Sequence, residues 1–194
     1  MGSNDGDNTL LVLHIDDDES FLEMTKLYLG RYFNFHVDTT TSPKNAISLL
    51  SDRSYDAVIS DYQMPGMDGI SLLKKIRHDL GMDVPFTLFT GKGREVIAME
   101  ALNLGANHYL QKGGDPKSMF AVLAETIIQE VNHNKTKKLV EANERKYRSI
   151  FESAKDAIFI MKDDKFIDCN NRTLELFNCS REEIIGVSPD KVSP

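Results

Sequence analysis

The feature that most constrains the fold of this chain is a regular alternation of short apolar runs with amphipathic segments between residues 9 and 130. Five runs have the apolar character of strands, and in chain order they are 10–15, 33–37, 57–60, 86–90 and 106–110. Each is followed by a segment whose apolar residues recur every three or four positions, which is typical of a helix packed on one side. Five strand–helix units in succession predict a parallel sheet with helices on both faces.

The composition of these runs also predicts their order in the sheet. The first, third and fourth are almost entirely apolar, as in central strands that are covered on both faces. The second alternates Phe33, Phe35 and Val37 with polar residues, as a strand at a sheet edge does. We therefore predict an α/β, flavodoxin-like (βα)5 doubly wound sheet with strand order 2-1-3-4-5, in which ligands bind beyond the carboxyl ends of the strands.

Polar side chains stand at those carboxyl ends. Asp16 and Asp17 follow the first strand, Asp61 follows the third, Thr90 ends the fourth and Lys112 comes just after the fifth. Because the carboxyl ends of parallel strands share one edge of the sheet, these groups are expected to meet there. Clustered carboxylates repel one another, and oxygen ligands without His or Cys favour a hard divalent cation such as Mg²⁺.

This set of groups suits phosphoryl transfer, with Asp61 as the phosphate acceptor. Lys112 can pair with one phosphoryl oxygen and Thr90 can donate a hydrogen bond to another, and such positioning and charge stabilisation are most of what the reaction requires. An alternative for the aspartates before the first helix is helix capping, with Asp18 accepting from the first backbone N–H groups. The two roles can coexist in neighbouring aspartates.

Four segments resemble the receiver domains of two-component response regulators, and the resemblance covers residues 9–130. They are Leu13-His14-Ile15-Asp16-Asp17-Asp18, Asp61 with Met64-Pro65-Gly66-Met67-Asp68-Gly69, Phe89-Thr90-Gly91, and Tyr109-Leu110-Gln111-Lys112. The resemblance implies that Asp61 accepts a phosphoryl group from a histidine kinase or a histidine phosphotransfer protein. It also implies that the chain is not an enzyme beyond Mg²⁺-dependent self-phosphorylation and autodephosphorylation.

The same resemblance assigns roles to further residues. Asp16, Asp17, Asp61 and the backbone carbonyl of Gln63 match the Mg²⁺ site. Thr90 and Tyr109 match a switch pair, in which the hydroxyl moves to the phosphoryl group and the ring turns inward, and Lys112 matches the lysine of the motif. No other cofactor is implied.

Two residues near this site carry separate expectations. Gly113 follows the lysine where the family usually has proline after a cis peptide bond. Because a cis bond before a residue other than proline costs roughly 3 kcal/mol, we expect a trans bond and a more mobile loop. His14 is expected to be a core histidine with a backbone hydrogen-bond partner.

The composition of the chain limits which partners it can bind and indicates its cellular location. Residues 1–130 hold 11 Lys and Arg against 19 Asp and Glu, which argues against a nucleic-acid surface. No apolar run is long enough to span a bilayer, so no membrane association is expected. Cys169 and Cys179 lack metal-type spacing, which favours reduced thiols and a cytoplasmic location. Residues 1–8 are expected to be a disordered tail.

The remaining residues predict a helical linker and part of a second domain. Helical character fades near residues 132–138 and resumes through 139–151, so we assign 131–150 to a linker and expect a homodimer through the last receiver helix and this linker. Residues 144–194 resemble the opening of a PAS sensor domain, through the segments 145–152, 156–161, 166–170 and 177–186. We assign 151–194 to an incomplete α+β PAS domain, predicted to contain a hairpin and a helix over 171–177.

Three functions stay open at this point. The first is a phosphorelay module whose receiver relays the change at Asp61 to a PAS-containing output. The second is the amino-terminal receiver–PAS fragment of a larger histidine kinase. The third is a receiver-like interaction domain that is never phosphorylated, which is disfavoured because the acidic, Thr and Lys positions are all filled.

Overall fold

The computed structural model of the chain describes residues 9–91 and 95–191. The predicted tail, residues 1–8, lies outside this described part. The chain divides into two compact units after Lys135. The predicted boundaries 9–130, 131–150 and 151–194 stay predictions.

The first unit is a five-stranded parallel sheet in the order β2-β1-β3-β4-β5, which confirms the predicted fold and the edge position of β2. The elements that begin within this unit are, in chain order, β1 (Leu10–Ile15), α1 (Glu19–Phe33), β2 (Phe35–Thr40), α2 (Pro43–Asp52), β3 (Ala57–Ser60), α3 (Gly69–Lys74), a π-helical turn (Lys75–Asp79), β4 (Phe86–Thr90), α4 (Glu95–Asn103), β5 (His108–Gln111) and α5 (Pro116–Ser153). Of these, α5 extends past the end of the unit at Lys135.

Apolar side chains from both faces of the sheet are buried, because successive residues of a strand point to opposite sides. On one side, Leu13 and Val58 belong to a buried cluster with residues of α2, α3 and α4. On the other, Val12 and Ile59 belong to a cluster with residues of α1 and α5. Coverage on both faces explains why the central strands read as continuous apolar runs.

Local sequence signals set several element ends. Ser42 accepts a hydrogen bond from the N–H of Asn45 and Pro43 occupies the first position of α2, so this Ser-Pro pair sets the start of the helix. The predicted strand at Phe33 is wrong at its first residue, since α1 continues through Phe33 and ends at Asn34 in the left-handed conformation (φ 55°). A left-handed Asn is a common helix terminator, and β2 starts directly after it.

Helix α5 is 38 residues long and continues through the polar stretch 132–138. In the second unit, β6 (Phe159–Lys162) and β7 (Lys165–Cys169) form an antiparallel hairpin, followed by α6 (Asn171–Phe177), α7 (Arg181–Ile184) and a 3-10 turn (Pro189–Lys191). The predicted hairpin and the predicted helix over 171–177 are thereby confirmed. No helix in the described part of the chain is long and apolar enough to cross a membrane.

Candidate phosphoacceptor site

Backbone hydrogen bonds extend past the strand ends and hold the site residues in register. The N–H of Asp61 donates to the carbonyl of Ile15 at 2.8 Å, and the N–H of Lys112 donates to the carbonyl of Thr90 at 2.8 Å. The N–H of Asp16 donates to the last carbonyl of β2 at 3.2 Å. The sheet therefore fixes the origin of each functional side chain before any side-chain contact is made.

The ammonium of Lys112 bridges two carboxylates. Its Nζ donates to Oδ2 of Asp16 at 2.5 Å and to Oδ1 of Asp61 at 2.7 Å. Asp16 is 1% exposed and Asp61 is 6% exposed, so both charges depend on this cation and on nearby donors. The remaining oxygens accept backbone bonds, Asp16 from Asp18 at 3.1 Å and Asp61 from Gln63 at 2.6 Å.

The three consecutive aspartates have separate positions. Asp18 caps α1, accepting from the N–H groups of Ser20 and Phe21, so the capping role is confirmed for this residue. Asp17 is exposed and lines the open cavity in front of Asp61. This cavity has a volume of about 590 Å³ and is lined by Asp17, Asp61, Gln63, Met64, Pro65, Thr90, Gly91 and Lys112.

The predicted Mg²⁺ ligands are only partly brought together. Within residues 9–91 and 95–191, no three His, Cys, Asp or Glu side chains converge as a metal-binding group. Asp17 and Asp61 share a cavity, whereas Asp16 is engaged by Lys112. Two carboxylates and a backbone carbonyl fit Mg²⁺ chemically, because this ion usually takes one or two protein carboxylates and keeps several waters. The full set of Asp16, Asp17, Asp61 and Gln63 stays a prediction.

The predicted switch residues both carry a buried hydroxyl without a partner. Oγ1 of Thr90 and the hydroxyl of Tyr109 have no hydrogen bond to any group that the structure describes. A buried polar group left unpaired costs about 1–3 kcal/mol. Thr90 lines the cavity beside Asp61, and the hydrogen-bonding capacity of its buried hydroxyl is unused among the described residues.

The Lys112–Gly113 peptide bond is trans, as expected. Gly113 has φ 138°, which favours glycine, and its N–H donates to Sδ of Met119 at 3.2 Å. Proline could not make this bond because it has no N–H. The loop therefore differs from the family pattern while Lys112 still reaches both carboxylates.

Gly69 lies within the receiver motif, but its steric role is not apparent from the sequence pattern. A Cβ atom at this position would lie 2.3 Å from the carbonyl oxygen of Asp61 and 2.7 Å from Cδ1 of Leu88. Its N–H donates to the carbonyl of Tyr62 at 2.8 Å. Gly69 therefore allows α3 to start directly against the backbone of the acceptor residue.

The expectation of a backbone partner for His14 is wrong. The residue is fully buried, and neither ring nitrogen has a hydrogen-bond partner among the described residues. Burial, and secondarily the charge of Lys112, lowers the pKa of His14 from 6.5 to about 3. The imidazole is therefore neutral at pH 7 and packs edge-on against Phe21, with ring centroids 6.0 Å apart.

This lowered pKa predicts a pH-dependent stability. The unfolded chain binds a proton at His14 near pH 6.5, whereas the folded chain binds it only near pH 3. The unfolding free energy is therefore highest above pH 6.5 and decreases as the pH falls towards 3. Relative to His14→Leu, wild type should lose up to about 1.4 kcal/mol of unfolding free energy per pH unit within this window. Urea denaturation of both proteins between these limits measures the difference, and parallel curves would contradict it.

Comparison with known proteins agrees with this geometry. The family model for the response regulator receiver domain matches residues 12–124, and a PAS domain model matches residues 145–194. The response regulators SaeR of Staphylococcus epidermidis and Staphylococcus aureus are each 34% identical over 108 residues, which cover 56% of this chain and 46% of SaeR. The chain thus matches about half the length of these curated relatives.

Solved structures show the same fold. A response regulator receiver domain protein from Clostridium thermocellum aligns with a TM-score of 0.58 at 26% identity, covering 66% of this chain and 98% of that one. A CheY-like receiver domain protein from Methanospirillum hungatei aligns with a TM-score of 0.59 at 22% identity, covering 67% and 99%. Taken with the family match over residues 12–124, these findings show that the chain belongs to the response regulator receiver domain family and carries a PAS domain segment after the receiver.

Proposed function

We propose that this chain is a phosphorelay module in which Asp61 accepts a phosphoryl group from a histidine kinase or a histidine phosphotransfer protein. The observation that carries the proposal is the position of the Asp61 carboxylate. It lines an open cavity that Thr90 also lines, and its Oδ1 lies 2.7 Å from the Lys112 ammonium. The buried Thr90 hydroxyl has no hydrogen bond to any described residue. Family membership supports the same role.

In the proposed transfer, a carboxylate oxygen of Asp61 forms a bond to phosphorus while the bond from phosphorus to the donor's imidazole nitrogen breaks. The imidazole leaves with the bonding electron pair, and the acceptor becomes an acyl phosphate. Lys112 can move its hydrogen bond from Oδ1 of Asp61 to a phosphoryl oxygen, and the Thr90 hydroxyl can donate a hydrogen bond to another phosphoryl oxygen. Both interactions strengthen as negative charge gathers on the transferred group.

The residues that would hold Mg²⁺ are Asp17 and Asp61, with the Gln63 carbonyl and with Asp16 beside them. When bound, the ion would supply positive charge near the acceptor carboxylate and the phosphoryl oxygens. Asp16 would also keep Lys112 oriented, because one of its oxygens accepts from this ammonium. The Lys112 ammonium already bridges Asp16 and Asp61, so it does not neutralise the added charge of a phosphoryl group by itself.

Incubation with Mg²⁺ and acetyl phosphate tests this function. Intact-mass spectrometry should show one added phosphoryl group on wild type, and none after Asp61→Asn or after removal of Mg²⁺ by a chelator. Asp52→Asn, which removes an exposed carboxylate from the end of α2, is the matched control and should be labelled like wild type. Equal labelling of wild type and Asp61→Asn would overturn the assignment.

We further propose that the receiver is not itself an enzyme beyond its own phosphorylation and autodephosphorylation, and that a PAS-containing region is its output. Support comes from the PAS match after the receiver and from α5, a single helix that runs from Pro116 to Ser153. The alternative is the amino-terminal part of a larger histidine kinase. The homodimer through α5, the absence of nucleic-acid and membrane partners and the cytoplasmic location stay predictions.

A further inference from the structure

We propose that Phe21 is a positioning residue, whose ring face holds the Lys112 ammonium beside Asp61. Nζ of Lys112 lies 4.7 Å from the centroid of the Phe21 ring. The sequence pattern predicts only a core-facing residue on α1, so this contact gives the side chain a second role. The inference rests on the proposed phosphoacceptor function of Asp61, because it names what orients the lysine there.

The ammonium has three hydrogens, and two are directed to Oδ2 of Asp16 and Oδ1 of Asp61. An aromatic ring presents negative charge density on its face and attracts a cation within about 6 Å of its centroid. Phe21 thus adds an uncharged contact to a cation that two carboxylates already hold. The attraction is strengthened by partial desolvation, since the Lys112 side chain is only 20% exposed.

The ring of Phe21 is itself held in place. The N–H of Phe21 donates to Oδ1 of the capping Asp18 at 3.2 Å, which fixes the first turn of α1. The ring centroid lies 5.6 Å from that of Phe89 on β4 and 5.9 Å from that of Phe120 on α5. Contacts within α1 and with β4 and α5 therefore hold the ring that the ammonium contacts.

This contact gains importance from the loop that follows the lysine. Gly113 and Gly114 both have positive φ, 138° and 83°, and no proline restricts the backbone after Lys112. The backbone N–H of Lys112 is bonded to Thr90, but a flexible four-carbon stem separates it from the ammonium. The direction of the side chain consequently depends on contacts at its tip, and the ring of Phe21 supplies an apolar contact there.

Fluorination of this ring tests the inference, because it weakens the negative ring face with little change of shape. We expect the rate of labelling by acetyl phosphate to fall progressively with mono-, di- and trifluorophenylalanine at position 21, and by roughly 3- to 10-fold with Phe21→Leu. Trifluorophenylalanine at Phe33, which lies on the same helix and packs in the same apolar cluster, is the matched control and should leave the rate unchanged.

A second readout needs no phosphorylation. The ring current of Phe21 should shift the NMR signals of the Lys112 ε-methylene protons upfield, and Phe21→Leu should remove this shift. If wild type is labelled but the fluorinated series reacts at one rate, the positioning role is overturned while the acceptor function stands. If wild type is not labelled, the proposed function fails. An absent ring-current shift in wild type would then separately overturn the contact itself.

Discussion

Lys112→Met should slow the labelling of Asp61 by acetyl phosphate by roughly 100-fold or more, as expected when one charge-stabilising donor is removed from a preorganised site. In wild type the ammonium lies 2.7 Å from the acceptor carboxylate and within reach of the cavity that a phosphoryl group would enter. Methionine has a similar length and no charge, so the loss isolates the contribution of the cation. Initial rates from intact-mass spectrometry at saturating Mg²⁺ measure it.

The same substitution should also change how stability depends on pH. Burial raises the pKa of Asp16, and its hydrogen bond with Lys112 opposes this shift, so loss of the lysine should raise the pKa further. A carboxyl whose folded pKa exceeds its unfolded value destabilises the fold once the pH rises through the folded pKa. The unfolding free energy of Lys112→Met should therefore fall below that of wild type by the largest amount at neutral pH. This difference should shrink as the pH falls towards the pKa of Asp16 in the unfolded chain.

Lys75→Met is the matched control, because this lysine is exposed and forms a surface pair with Asp79 at 3.2 Å. Surface pairs of this kind contribute about 0–1 kcal/mol to stability. Both the labelling rate of Lys75→Met and the pH dependence of its unfolding free energy should therefore stay close to those of wild type. A Lys112→Met protein labelled at the wild-type rate would show that the ammonium has no part in the transfer.

Gly69→Ala should lower the unfolding free energy by about 3 kcal/mol. The new methyl group would lie 2.3 Å from the backbone carbonyl oxygen of Asp61 and 2.7 Å from Leu88, distances far inside van der Waals contact. A backbone atom cannot move aside as the end of a flexible side chain can, so either the start of α3 or the strand end must shift. Urea denaturation monitored by circular dichroism measures the loss.

Gly30→Ala is the control for Gly69→Ala, since both glycines lie in helices but only one is crowded. At Gly30 the nearest atom to an added Cβ is the carbonyl oxygen of Phe35 at 3.5 Å, an ordinary contact. Alanine is the better helix former, and a gain of about 0.5–1 kcal/mol is expected there. Opposite signs for the two substitutions would confirm that space beside Asp61, and not helix propensity, requires glycine at position 69. Equal effects would refute this explanation.

If Gly69→Ala still folds, its labelling rate adds a second check. The carbonyl of Asp61 that the methyl group would displace belongs to the residue whose N–H pairs with Ile15 and whose Oδ1 pairs with Lys112. A shift of this backbone should therefore slow phosphorylation as well as weaken the fold.

Most of the fold could be predicted from local patterns. Apolar runs with period two or no period mark strands, and the polar alternation of β2 marks the edge, since these patterns follow directly from which faces are buried. The Ser42-Pro43 helix start and the capping role of Asp18 were also predictable, because they depend on contacts within one turn. Element ends were less predictable, as Phe33 shows, because a partly buried aromatic fits both a helix end and a strand start.

By itself, the sequence determined the order of the strands, identified Asp61 as the candidate acceptor, and placed the polar residues at the carboxyl ends of the strands. Only the tertiary structure decided which of those residues touch. The Lys112–Asp16 bond joins residues 96 positions apart, and the contacts of Phe21 with Lys112 and of Gly69 with Leu88 likewise join separate elements. Packing between elements likewise leaves the buried ring of His14 without a hydrogen bond to any described residue. Such contacts depend on ångström-scale packing between elements, whereas hydrophobic periodicity records only which face of each element is buried.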